Sequence, residues 1–242
     1  MNLLIDIGNS RLKWALEIDG EVQQSFALWH ETNFLEGLMN EWRLFAAPEV
    51  VAISAVSTEL IKSHIIELVK KLWQNVTIVI AKSSGEAFGV KNSYPQPQKL
   101  GVDRWLCLLA SHQHYQHAAW IVDCGTAITV DFINEHGTHE GGLITAGLRL
   151  MRNSLLNNTA ALGFSEQATV VGLANQTDDA IFSGTVYAAA GLIEKAVASK
   201  TKAELILTGG DAELIARYLS IPAIIEPNLV LNGLALLIRQ RL

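Results

Sequence analysis

The chain has 242 residues and a mass of 26.4 kDa, room for one large domain or two halves of about 120 residues each. Half of it is hydrophobic and 17% is charged, so a substantial core can be buried and surplus apolar surface can be hidden in a subunit interface. A net charge of −6 and a pI near 5.6 exclude a general nucleic-acid binder, which needs a clustered basic face.

Taken in chain order, β-branched and apolar runs predict strands at 3–7, 11–18 and 22–28, a helix at 34–45, a strand at 50–56, a helix at 58–74 and a strand at 76–80. The second of these helices is marked by Leu60, Ile61, His64, Ile65, Leu68 and Leu72 at helical spacing. Segment 82–100 carries Gly85, Gly89, Pro95 and Pro97 and reads as an ordered loop. A helix follows from near Gly101 to about His114. The order then repeats, with strands at 119–124, 127–134 and 138–145 and helices within 147–158 and 177–199. Strand 204–208, helix 211–219, strand 222–226 and helix 228–240 complete it. Three leading strands followed by alternating helix and strand, twice over, is the order of the actin-like (ribonuclease H-like) ATPase fold. It predicts an α/β chain of two similar halves around a nucleotide cleft, 1–117 and 118–242.

The duplication is visible in the residues. Leu3-Leu4-Ile5-Asp6-Ile7-Gly8-Asn9-Ser10 returns as Trp120-Ile121-Val122-Asp123-Cys124-Gly125-Thr126-Ala127, and at the same offset Gly20 lands on Gly137 without a gap. In each copy an apolar strand ends in Asp, a spacer and Gly. The glycine lets backbone N–H groups approach phosphate closely. In the first copy Asn9 and Ser10 add neutral donors, and Lys13 can place a compact positive charge on a phosphate tail. Asp6 can hold magnesium, directly or through water, because that ion prefers oxygen ligands and keeps its waters. D-x-G-N is also ordinary hairpin chemistry, and only its return in the second half favours function over a plain turn. The second copy offers the Thr126 hydroxyl and no lysine. Two such hairpins facing each other would grip the β- and γ-phosphates from opposite sides.

Leu205-Ile206-Leu207-Thr208-Gly209-Gly210-Asp211 is an apolar strand entering a double glycine and a helix, which suits adenosine or serves as a tight turn. Gly101-Val102-Asp103-Arg104 opens a helix. Asp103 there is either a dipole-favoured first-turn residue or a general base taking a proton from an attacking hydroxyl. Arg104 can fix an anionic substrate group by a forked hydrogen bond.

These residues together resemble the type III pantothenate kinases, of the acetate and sugar kinase, Hsp70 and actin superfamily. The resemblance is carried by D-x-G-N-S-x-x-K at the start, G-V-D-R at 101–104, D-x-G-T-A-x-T-x-D at 123–131, G-G-x-I-x-x-G at 141–147 and N-x-T-x-x-A-x-x-S-G at 175–184. It spans nearly the whole chain. It implies ATP-dependent phosphorylation of pantothenate to 4'-phosphopantothenate, the first step of coenzyme A biosynthesis. By position, Asp6, Ile7, Gly8, Asn9, Ser10, Arg11, Leu12 and Lys13 would form the first phosphate loop, and Thr126 would contact ATP from the second. Asp103 matches the family's proton acceptor. Tyr94, Gly101, Val102, Asp103 and Arg104 match pantothenate contacts. Asp123 matches the residue that binds a monovalent cation, K+ or NH4+, beside Mg2+. Thr177 matches, through a one-residue shift, a substrate contact delivered across a homodimer interface. The chain departs from the family at Ala146, where a proline is usual. Alanine leaves that turn less rigid and removes no chemical group.

Other features read plainly. His112, His114 and His117 do not share one helix face and read as a solvated helix end rather than a zinc site. Trp14, Trp105 and Trp120 sit within apolar runs and read as core. No run reaches the roughly 18 apolar residues of a membrane span. The start lacks a secretory pattern, and Cys107 and Cys124 fit no C-x-x-C spacing, so the chain reads as reduced and cytoplasmic, with no membrane or nucleic-acid partner. Two rival readings use the same scaffold. One is a kinase for another small acceptor, a sugar or carboxylic acid. The other is a non-catalytic accessory protein, against which stand the absence of a helix-turn-helix or basic cluster and the intact catalytic positions.

Overall fold

The structure, a computed structural model, describes residues 1–30, 33–158 and 171–239, apart from the side chains of 156–158. The chain forms two compact units, Met1–His114 with Asn228–Leu242, and Tyr115–Pro227.

In the first unit the chain runs β1 (Asn2–Ile7), β2 (Arg11–Ile18), β3 (Glu21–Val22), β4 (Phe26–Trp29), α1 (Phe34–Trp42), β5 (Val50–Ala55), α2 (Glu59–Leu72), β6 (Thr77–Ile80), β7 (Glu86–Ala87), β8 (Val90–Lys91) and α3 (Val102–Tyr115). The sheet order is β3-β2-β1-β5-β6, with β4 also pairing β2. β1 is antiparallel to β2 and parallel to β5, because a short hairpin can only reverse the chain whereas the return to β5 crosses over through α1. Alternation along β1 sends Leu3, Ile5 and Ile7 into one core with Leu38 and Trp42 of α1 and Ile65, Leu68 and Val69 of α2. Trp14 joins that core and stacks on Phe26 at 4.6 Å between ring centroids. The single strand expected at 22–28 is two strands, since Gln23-Gln24-Ser25 has nothing apolar to bury.

Segment 82–100, expected to be loop throughout, carries a small antiparallel hairpin, β7–β8. Its turn places Phe88 at φ 50° and Gly89 at φ 78°. Just beyond it, Asn92 anchors the chain on both sides. Its Nδ2 donates to the carbonyls of Ser84 and Pro97 at 3.1 and 3.3 Å, and its Oδ1 accepts from Tyr94 N–H at 3.0 Å.

The second unit repeats the plan with β9 (Ala119–Cys124), β10 (Ala127–Ile133), β11 (His139–Ala146), α4 (Leu148–Asn158), α5 (Thr177–Val197), β12 (Glu204–Thr208), α6 (Ala212–Ala216) and β13 (Ile224–Ile225). Its sheet order is β11-β10-β9-β12-β13, the same path as in the first unit. Trp120, Val122, Cys124, Ile128 and Val130 pack with Val186, Ala189, Ile193 and Val197 of α5. α5 is the one helix among the described residues long and apolar enough to cross a membrane, and half of that window is buried. α6 is five residues long where the sequence predicts a helix over 211–219.

The last helix, α7 (Leu229–Arg239), falls by sequence order in the second half, 118–242. It contacts β1, β2, β3 and β5 of the first sheet instead. Gly233 sits so close to Leu106 of α3 that a Cβ there would stand 2.7 Å from the leucine Cβ. Leu4 and Ala52 are buried but lie outside the core formed with α1 and α2, so α7 closes the other face of that sheet. Trp14, Trp105 and Trp120 are all buried, as expected from their apolar surroundings. Of the three histidines expected at a solvated helix end, His114 is exposed and His112 packs against Gly89 of the β7–β8 turn. The exposed His117 places Nε2 2.8 Å from Glu204.

Candidate active site

The first hairpin loop comprises Gly8, Asn9, Ser10 and Arg11, since the β1–β2 ladder ends at Ile7↔Leu12. Gly8 N–H donates to the Arg11 carbonyl at 3.1 Å, and a Cβ on Gly8 would stand 3.1 Å from the same oxygen. Asp6 and Lys13 are register partners, so carboxylate and ammonium rise from one face of the sheet. The loop is braced from outside. His30 N–H donates to the Ser10 carbonyl at 3.0 Å, and the Arg11 guanidinium lies over the Trp29 ring, 5.7 Å from its centroid.

The second hairpin is built differently. Its ladder ends at Cys124↔Ile128, so the loop is Gly125, Thr126 and Ala127, one residue shorter. Gly125 N–H donates to the Ala127 carbonyl at 3.1 Å. Asp123 is flanked in register by Thr129 of β10 and Thr208 of β12, neutral hydroxyls where the first hairpin has a lysine. Backbone crowds in from two further segments. Gly147 N–H donates to the Thr126 carbonyl at 2.9 Å, and a Cβ on Gly147 would fall on the carbonyl oxygens of Gly125 and Thr126. Gly209, at φ +91°, abuts the Asp123 carboxylate and the Cys124 backbone, and a Cβ there would meet both. Asp211 N–H donates to the Cys124 carbonyl at 3.0 Å. The double glycine expected to seat a nucleoside therefore also locks β12 against the second hairpin. Burial first, then the charges of Asp123 and Asp211, push the Cys124 thiol far above its ordinary range.

The G-V-D-R segment is the start of α3. Trp105 N–H donates to the Gly101 carbonyl at 3.0 Å, and Arg104 N–H donates to Asp103 Oδ1 at 2.8 Å. A Cβ on Gly101 would stand 2.5 Å from Asp103 Oδ1, so only glycine lets that carboxylate fold back over the helix start. Arg104 is buried to 6% exposure, and its Nη1 donates to the Tyr94 hydroxyl at 3.0 Å. Ser83 Oγ donates to the Leu100 carbonyl at 2.8 Å, tying the loop to the helix start. Tyr94, Gly101, Asp103 and Arg104 thus form one cluster, with Val102 in the same helical turn.

Thr177 opens α5 and is exposed, with no side-chain cap on the helix. Ala146 occupies an ordinary strand position opposite Ala127. Sequence reasoning misses Asn92, and it marks Gly147 and Gly209 only as motif glycines, not for their packing against the second hairpin. A lone Asn in a Gly- and Pro-rich stretch is the only signal that marks Asn92. Among the described residues no three His, Cys, Asp or Glu side chains gather into a metal cage. One or two carboxylates beside phosphate is the donor set that suits magnesium, which keeps most of its waters.

A family model described as type III pantothenate kinase matches residues 2–199. The type III pantothenate kinase of Nitrosococcus oceani is 36% identical, over 97% of this chain and 92% of that one. Among solved structures, a putative Baf family transcriptional activator from Campylobacter jejuni superposes with a TM-score of 0.63 at 24% identity, covering 99% of this chain and 98% of that one. A putative N-acetylmannosamine kinase from Listeria monocytogenes gives a TM-score of 0.51 at 11% identity, covering 99% of each. At these identities the two structures speak for the duplicated actin-like fold alone.

Proposed function

The chain belongs to the type III pantothenate kinases, and we infer that it phosphorylates pantothenate with ATP to 4'-phosphopantothenate, the first step of coenzyme A biosynthesis. The observation that carries the substrate reading is the start of α3, where Asp103 and the Tyr94–Arg104 pair are held together in the family's order. Asp103 accepts the proton of the attacking hydroxyl. Arg104, oriented by Tyr94, holds the substrate carboxylate, with Gly101 and Val102 shaping the same wall.

Residues Asp6 to Lys13 hold the phosphate tail of ATP, and Thr126 adds a hydroxyl from the second hairpin. Asp6 would hold Mg2+, through water or directly. When bound, that ion draws charge from the transferred group. Asp123, among neutral hydroxyls and close backbone, would hold a monovalent cation, K+ or NH4+. A homodimer completes the reading. Leu143 and Ile144 of β11, Leu150 and Leu155 of α4 and Tyr187 of α5 are exposed on elements that pack on one another, and a second copy would cover them. Thr177 would reach substrate across that interface. Cys107 and Cys124, both buried and in no disulfide, suit a reducing cytoplasm.

Pantothenate-dependent ADP release, measured with and without K+, is the direct test. Asp103→Asn is expected to keep binding of both substrates while turnover falls at least about a hundredfold. Near-normal turnover in that variant would remove Asp103 from the role of base, and ADP release from a different acceptor would move the chain to another small-molecule kinase.

A further inference from the structure

β1 sits where the sheet changes direction, with the hairpin strand β2 on one side and the parallel strand β5 on the other. Ligands of open α/β sheets gather outside the carboxyl ends of strands at such a point. Lys13 lies on the β2 side of Asp6. On the β5 side its register partner is Ser54, a fully buried residue whose Oγ has no hydrogen-bond partner. The chain then continues alongside the phosphate loop, with Val56 N–H donating to the Ile7 carbonyl at 3.1 Å. Ser57, next in line, also has a buried Oγ with no hydrogen-bond partner. Two buried hydroxyls without partners at the end of one strand are costly, because each loses its water and gains nothing. The second unit makes a useful contrast. Thr208 holds the equivalent place beside Asp123, but its hydroxyl donates to the Pro227 carbonyl at 3.5 Å.

We propose that Ser54 and Ser57 are positioning residues for the nucleotide's anionic tail, supplying hydroxyls from the β5 side to Asp6 and the phosphate loop. Neighbouring strands lie about 4.8 Å apart, so a hydroxyl and a carboxylate in register are within reach of one shared water or phosphate oxygen. A hydroxyl can donate to a phosphate oxygen and accept from cation-bound water at once, which a lysine cannot. The site then has a charged wall, Lys13, and a neutral one, Ser54 with Ser57. The inference rests on the assignment of residues 6–13 to ATP.

The test is titration calorimetry of the full chain with Mg·ATP in the absence of pantothenate, alongside thermal unfolding without nucleotide. Ser54→Ala and Ser57→Ala are each expected to weaken Mg·ATP binding about tenfold, as for loss of one hydrogen bond to a charged group. Ser57→Thr, which keeps the hydroxyl at a half-buried position, is expected to bind like the parent. The nucleotide-free melting temperature of Ser54→Ala should match or exceed the parent's, because the deleted hydroxyl had no partner. Unchanged affinity in both alanine variants overturns the proposal. So does weak affinity accompanied by a lower nucleotide-free melting temperature and no recovery in Ser57→Thr. Asp6→Asn in the same titration separates the two levels. If it loses binding while the serine variants keep it, only the serines are misassigned. If it binds like the parent, the phosphate-loop assignment fails and the serine roles fall with it.

Discussion

The two hairpins keep the same Asp at the same place on the central strand and differ in almost everything around it. The first loop has four residues, the second three, so the residue opposite Asp6 is Lys13 whereas the residue opposite Asp123 is Thr129. The offset of the internal repeat nevertheless returns at Gly20 and Gly137. The turn after β2 is the two-residue Asp19-Gly20, whereas the turn after β10 spans residues 134–138 and restores the missing position. A gapless repeat in sequence thus conceals a deletion and an insertion in space. The consequence is chemical. A carboxylate facing a lysine is locally neutral and suits a phosphate tail with its divalent ion. Asp123 has threonines rather than a lysine as its register partners, and its proposed role at a monovalent cation draws on that difference.

The largest expected contrast lies in the glycines. Gly147→Ala would drive a methyl group into the Gly125 and Thr126 carbonyls, and backbone cannot yield without opening the second hairpin. A loss of about 3 kcal/mol or more is expected in urea unfolding, against about 1 kcal/mol or less for Gly8→Ala, whose methyl group meets a single oxygen. Equal midpoints for the two variants would show that the hairpins are equally tolerant and sink the distinction. Next comes the cation. Asp123→Asn should abolish the stimulation of ADP release by K+, whereas Lys13→Ala should keep that stimulation and raise the KM for ATP about tenfold. The reverse pattern would exchange the two roles. The smallest effect concerns Cys124. Its raised pKa keeps the thiol protonated and unreactive towards iodoacetamide at about pH 8 until the chain unfolds. Above the ordinary value of 9.0 the unfolded chain binds fewer protons than the folded one, so stability falls as pH rises. Cys124→Ala should flatten that alkaline slope, measured as melting temperature against pH.

The parts of the site legible in the sequence were those whose chemistry is local. Asp6, Gly8 and Lys13 are close along the chain, and a hairpin brings them together whatever the rest does. Gly101 to Arg104 occupy one helical turn. Tyr94 could be placed beside Arg104 only by resemblance, because the path between them depends on the Asn92 anchor and the turn at Phe88-Gly89. Gly147 and Gly209 were legible as motif glycines but not as backbone packed against the second hairpin, and Ser54 carried no readable signal. Each matters through a neighbour from a distant segment: a carbonyl of the second hairpin, the Asp123 carboxylate, and the register of β5 against β1.

By itself the sequence determined the duplication, the order of the main strands and helices, and both Asp-x-Gly turns. These rest on hydrophobic period and turn chemistry, which act over a few residues. Only the tertiary structure decided which sheet α7 covers, since the apolar stripe 229–238 fits either half and its partner was settled by the close approach of Gly233 to Leu106. The tertiary structure also decided how the two hairpins differ. Side-chain pairing across a hairpin follows the ladder of hydrogen bonds, and one residue more or less in the turn replaces every partner opposite it.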